Sequence, residues 1–115
     1  MNFFDAHAIK GSIDFHSFGE MIMYPWAYTY QGIPNETPLD QLTTKMASYN
    51  GYAHGQISKV IYVAKGSSAD YYYWKKKTMA LGIEIGSSYA PPTGQIPQMI
   101  QDNLESTWTF VEGIQ

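Results

Sequence analysis

Ser12-Ile13-Asp14-Phe15-His16-Ser17-Phe18-Gly19-Glu20-Met21-Ile22-Met23-Tyr24-Pro25-Trp26 reads as a strand, a sharp corner, and a second apolar run that proline stops. Alternation puts Ile13 and Phe15 on one face of the first strand and Asp14 and His16 on the other. A histidine that closes a strand just ahead of a glycine-containing corner is held rigidly, while the loop beyond leaves space for a ligand. His16 is therefore the first candidate for chemistry, weighed against the commoner role of a lone, hydrogen-bonded structural histidine. The second run, Met21 to Tyr24, is apolar on both faces, which predicts a fully buried strand.

Working outward, Phe3 to Ile9 reads as the end of a helix, broken at Lys10-Gly11. His7 there faces solvent. Tyr28 to Pro38 is a loop dense in turn residues. A helix then starts with Thr37 as cap, Pro38 at its first position and Asp40 in its first turn. Leu39, Leu42, Met46 and Tyr49 recur on one face of it, and Asn50-Gly51 ends it. Tyr52 to Ser58 reads as irregular, with His54 a loop residue, and Val60 to Ala64 has strand composition. After the glycine-serine loop Lys65 to Ser68, a helix from Ala69 to Lys77 is capped by Ser68, and Lys75-Lys76-Lys77 forms its solvated end. Thr78 to Ile85 reads as a buried strand with one anomaly, Glu84. A dry, unpaired carboxylate is costly, so Glu84 must either pair or reach a functional cavity. A Ser/Pro/Gly loop, Gly86 to Gly94, leads to a last helix opened by Ile96-Pro97. Met99, Ile100, Leu104, Trp108 and Val111 are its expected buried stripe.

The 115 residues suffice for one domain with an adequate core. A net charge of −3 gives no electrostatic footprint for nucleic acid or an anionic membrane. With no cysteine, any metal must be held by histidine and carboxylate. No window approaches a membrane span, and Met1-Asn2-Phe3-Phe4-Asp5 lacks the basic and long apolar regions of a signal peptide. The 16% aromatic content suits a buried sheet or a lined pocket.

Three landmarks stand in order: His16 at a strand end, Tyr62 before a Gly/Ser loop, and Glu84 in a buried strand. With His16-Ser17-Phe18 and Tyr24-Pro25-Trp26-Ala27-Tyr28, and with Gly66-Ser67 and Asp70-Tyr71 between Tyr62 and Glu84, they resemble the zinc metallocarboxypeptidases. The likeness runs from about Phe3 to the last helix and matches the C-terminal part of that family's catalytic domain. It implies an α/β fold: a partial three-layer α/β/α arrangement around a mixed parallel and antiparallel sheet, with residues 1–115 as one segment of the domain.

The resemblance also implies roles. His16 is the expected protein ligand of a catalytic zinc, and Glu84 the general base that activates water and passes its proton to the leaving amine. Tyr62 is the expected mobile phenol that closes over the terminal residue. Ser17 and Phe18 would line the next subsite, with Ser17-Phe18 and Pro25-Trp26 as non-proline cis bonds. Ala27, Ile57, Ile61, Ala69 and Gly82 would form the pocket for the terminal side chain. Basic-specific members carry an aspartate at the Ala69 or Ala27 position. Here the five are small or apolar, which implies a preference for apolar or aromatic C-terminal residues.

Departures are Phe18 and Tyr71 in place of tyrosine and tryptophan, and a shortened loop from Ser87 to Gly94. The family's His-x-x-Glu ligand pair and its arginine clamp have no counterpart in these residues. The expectations are therefore a parent enzyme acting on peptide or protein C-termini with Zn2+, a fragment inactive by itself, and self-association to cover exposed apolar surface. Secretion is expected from the resemblance alone. Two other readings are open: an amidohydrolase of small acylated amino acids, which the peptide-subsite residues oppose, and a non-catalytic binding module, which an intact His16 and Glu84 oppose.

Overall fold

The computed structural model describes residues 2–115, the side chain of Asn2 excepted. Its elements are α1 (Asn2–Ala6), β1 (Gly11–His16), β2 (Met21–Tyr24), α2 (Thr37–Asn50), β3 (Ala53–Gln56), α3 (Ile57–Val60), α4 (Ser68–Lys76), β4 (Met79–Glu84) and α5 (Ile96–Gly113). The four strands form one sheet in the order β1-β4-β2-β3. β1 is parallel to β4, β2 is antiparallel to β4 and parallel to β3, so the sheet is mixed as expected.

Period-two alternation divides two cores. Ile22, Tyr24, Leu81 and Ile83 point to one face and pack with Leu39, Leu42, Met46 of α2 and Phe110 of α5. Met23 and Ala80 point to the other face and pack with Ala27, Ile57 of α3 and Ala69 of α4. Helices thus cover both faces, which is the three-layer arrangement. Gly51 ends α2 in the left-handed conformation (φ 71°) that glycine adopts without strain.

Local chemistry differs from expectation at five places. Thr37 is already helical, and the residue before it, Glu36, makes no capping bond with its side chain. The Glu36 carboxylate instead accepts the Tyr24 hydroxyl at 2.8 Å. Tyr49, expected on the buried face of α2, is exposed. The segment read as irregular contains β3. Its Ala-His-Gly-Gln composition is poor for a strand, but pairing along the buried β2 overrides propensity. His54 is exposed on that edge strand. Conversely, Val60 to Ala64 is not a strand: α3 ends at Val60 and the chain turns away. Ser68 lies inside α4 rather than capping it, and Ser67 takes the cap position.

The largest departure is in α5. Ile100, Leu104, Trp108 and Val111 are exposed, with Leu104 at 54% and Trp108 at 59%. The helix buries Asn103, Ser106, Thr109 and Phe110 instead. Asn103 donates to the Tyr52 hydroxyl at 3.0 Å, which anchors the helix by a polar contact. The apolar periodicity is real, but it marks a face that nothing among the described residues covers.

Gln56 fastens the loop after β2. Its buried Nε2 lies within 3.2 Å of the carbonyl oxygens of Trp26, Thr29 and Gln31 and of the Ser58 hydroxyl. Removing those two N–H groups strands several buried acceptors. Gln56→Leu is expected to lower stability by about 2 kcal/mol, read in urea as a lower midpoint with an unchanged slope.

Candidate active site

Register builds the site. His16 and Glu84 are Cα partners across the β1–β4 ladder, and Met21 faces Glu84 from β2. Two residues further back, the row is Asp14, Gly82, Met23. Partners on adjacent strands are about 4.8 Å apart and point to the same face. The histidine and the glutamate therefore rise side by side from the sheet. Gly82 leaves a gap in the second row: a Cβ there would meet nothing within 4 Å. The result is a pocket of about 320 Å³ with Asp14, His16, Gly82 and Glu84 as floor, and Met23, Ala27, Ile57, Ile61, Ala64 and Ala69 as wall.

The polar groups are asymmetrically satisfied. Ser68 donates its hydroxyl to Asp14 Oδ2 at 2.7 Å, and His16 Nε2 lies 3.2 Å from the same oxygen. The Ser68 hydrogen bond, with His16 adding to it, holds the Asp14 carboxyl below its ordinary value of 3.8 against the opposing effect of burial. In the neutral ring, an Nε2–H donated to Asp14 leaves the Nδ1 lone pair free. Glu84 Oε2 is buried with no protein hydrogen-bond partner. Orphaned buried acceptors of this kind are rare, and one in a pocket is ready for an incoming donor.

The expected residues divide. His16, Glu84, Ala27, Ile57, Ile61, Ala69 and Gly82 all line the one pocket. Ser17, Phe18 and Tyr62 do not. Tyr62 is 66% exposed on the turn after α3, and Phe18 lies half-exposed with its ring edge-on to Tyr89. The Ser17–Phe18 and Pro25–Trp26 peptide bonds are both cis, as the resemblance implies. Asp14, Met23, Ala64, Gly66, Ser67 and Ser68 line the pocket beyond those expected. Period two already put Asp14 on the His16 face; its reach to Ser68 depends on α4 crossing β1, which no local pattern encodes.

Asp70 holds the wall in place. Its carboxylate accepts the backbone N–H groups of Ala27 at 2.8 Å and Tyr28 at 3.0 Å, and Ala64 donates to the Ala27 carbonyl at 2.9 Å. Burial raises the Asp70 pKa above 3.8, opposed by those two backbone bonds. A carboxyl raised on folding contributes stability that is complete below its unfolded value and is lost as pH rises through its folded one. Stability relative to Asp70→Asn is therefore expected to fall as pH rises from below 3.8 through the raised folded value, measured by thermal midpoints of both proteins.

Among the described residues no group of three or more histidine, cysteine or carboxylate side chains could hold a metal ion. His16, with its oriented ring and free Nδ1, fits as one ligand of a site that needs three.

The sheet, its two helical layers and this pocket define an α/β protein of the metallocarboxypeptidase type. The chain belongs to the zinc carboxypeptidase family, whose profile matches residues 1–106. Thrombin activatable fibrinolysis inhibitor superposes with a TM-score of 0.89 at 19% identity, over 96% of this chain and 30% of that one. Carboxypeptidase A from Helicoverpa armigera gives a TM-score of 0.76 at 22% identity, over 89% of this chain and 29% of that one. At such identities these likenesses concern the fold. Human carboxypeptidase A1 is 39% identical over 75 residues, 60% of this chain and 18% of the relative. Bovine carboxypeptidase A1 is 34% identical over 94% of this chain and 28% of its own length. The chain thus spans well under a third of the curated relatives it matches.

Proposed function

We propose that these residues form the C-terminal part of a zinc-dependent metallocarboxypeptidase that hydrolyses the last peptide bond of peptides and proteins. The observation that carries this reading is the register pair His16–Glu84 above one pocket, with the glutamate's buried oxygen unpartnered. Zinc, when bound, supplies Lewis-acid polarisation of the scissile carbonyl and an acidified water. His16 contributes one of its ligands through the nitrogen not tied to Asp14. Glu84 accepts a proton at its free oxygen and returns it to the leaving amine. The terminal side chain enters the well over Gly82, where Ala27, Ile57, Ile61 and Ala69 favour an apolar or aromatic body. Tyr62, exposed on its turn, closes over the terminal residue, and Ser17 and Phe18 bound the next subsite.

The 115 residues alone are inactive, because one imidazole cannot retain catalytic zinc. In the longer enzyme the exposed stripe of α5 is covered by other parts of the domain, and in the isolated chain by a second copy. The enzyme is secreted, as the resemblance implies. The protein as its gene encodes it should release C-terminal residues from blocked peptides, contain stoichiometric zinc, and leave N-acylated single amino acids intact. Hydrolysis of the acylated amino acids without the peptides would overturn the reading.

A further inference from the structure

The pocket holds two carboxylates, Asp14 and Glu84, and no lysine among its lining residues. Glu84 sits in the row of His16. Asp14 sits one row deeper, beside the gap at Gly82 and opposite Met23. Its side chain is 46% exposed, and it reaches across to the first turn of α4, where Ser68 donates to it. Both of its protein neighbours are neutral donors when the imidazole is neutral, so neither cancels its charge. Among the described residues the one lysine–carboxylate pair is Lys75–Asp5, so no ammonium is spent on Asp14.

We infer that Asp14 sets the charge preference of this pocket, selecting C-terminal residues with an apolar stem and a cationic tip, lysine or arginine. The reading rests on the carboxypeptidase assignment and adds a charge to the apolar body proposed above. Methylene groups lie along Ile57, Ile61 and Ala69 while the ammonium or guanidinium reaches the carboxylate beside Gly82. An acidic terminal residue is repelled by the same charge.

The test compares lysine with norleucine, which keeps the stem and lacks the cation. Blocked peptides ending in each are offered to the protein as its gene encodes it, and to its Asp14→Asn and Asp14→Ser variants. A charge-assisted hydrogen bond at a half-exposed site predicts a lysine to norleucine ratio in kcat/KM of about ten or more. Both variants should bring the ratio to about one. A ratio near one in the wild type overturns the inference and leaves the carboxypeptidase reading standing. So does an equal loss on both peptides in the variants, which would make Asp14 a positioning residue for His16.

Binding of N-acetyl-lysine and N-acetyl-norleucine to the same proteins, followed by calorimetry, reads the preference without catalysis. Tighter binding of the lysine ligand that disappears in the Asp14 variants, with no peptide cleaved, would keep the inference and remove the carboxypeptidase reading. Equal binding of the two would overturn the inference even in an inactive protein.

Discussion

On the proposed reading, Glu84→Gln in the protein as its gene encodes it is expected to cut peptide hydrolysis about a thousandfold and to leave the fold at least as stable. The two effects share one cause. Glutamine keeps the shape of the side chain, so the β4 ladder, the His16 neighbour and the Gly82 gap persist. What disappears is an oxygen able to take up and return a proton at neutral pH. General-base catalysis contributes about 10²–10⁴ in rate, so kcat should fall by about three orders of magnitude. KM should change little, because the pocket that receives the terminal side chain lies one row away. The buried, unpartnered Oε2 of Glu84 is meanwhile a local cost to the folded state when the carboxylate is charged. A neutral amide relieves it, so the thermal midpoint should hold or rise. Steady-state kinetics and a melting curve on the same preparation decide the matter. A variant with more than a tenth of the wild-type kcat would remove Glu84 from catalysis, whereas a lowered midpoint would show that its carboxylate is structural.

What could be read before folding follows from the range of the interactions concerned. β1, β2 and β4 were legible because two-residue alternation and terminating Gly and Pro residues are local. The same holds for α2, whose C-terminal Asn50-Gly51 is a local stop. β3 was not legible, since Ala-His-Gly-Gln becomes a strand only by lying along β2. His16 and Glu84 stood out singly, one by its place at a strand end and the other by its charge in an apolar run. Their adjacency is a matter of register between strands distant in sequence, and only the order of motifs in the family resemblance hinted at it. Asp14 shows the same limit more sharply. Its face was correctly assigned by alternation, but its partnership with Ser68 requires the packing of α4 over β1. Sharing a face with His16 did not by itself show that Asp14 reaches into the pocket.

The helix α5 misled for a different reason, and its error predicts an experiment. The expected buried stripe is Met99, Ile100, Leu104, Trp108 and Val111, at helical spacing. All but Met99 are exposed, and so is Ile96 one turn earlier. Beside them Phe15 of β1 is half-exposed, and with Ile85, Ile96, Met99, Ile100 and Leu104 it lines an apolar groove of about 310 Å³. Trp108 is exposed one turn beyond Leu104 on the same helix. β1 is also the edge of the sheet, hydrogen-bonded to β4 and to no other strand among the described residues. A contiguous apolar face along an open strand edge favours association, because both the hydrophobic surface and the unpaired backbone groups gain partners. The 115-residue chain is therefore expected to sediment as a dimer or larger species. Leu104→Glu combined with Trp108→Lys should convert it to a monomer. Each of those side chains contributes about 1.5–3 kcal/mol when fully buried, so the pair should weaken association by about a hundredfold or more. The intrachain fold should change by no more than about 0.5 kcal/mol, since both positions are on the surface of the helix. Sedimentation across a concentration series separates the outcomes. A wild-type chain that remains monomeric throughout would show that this face is tolerated in water. A double variant that associates as strongly as the wild type would move the contact to the free edge of β1 alone.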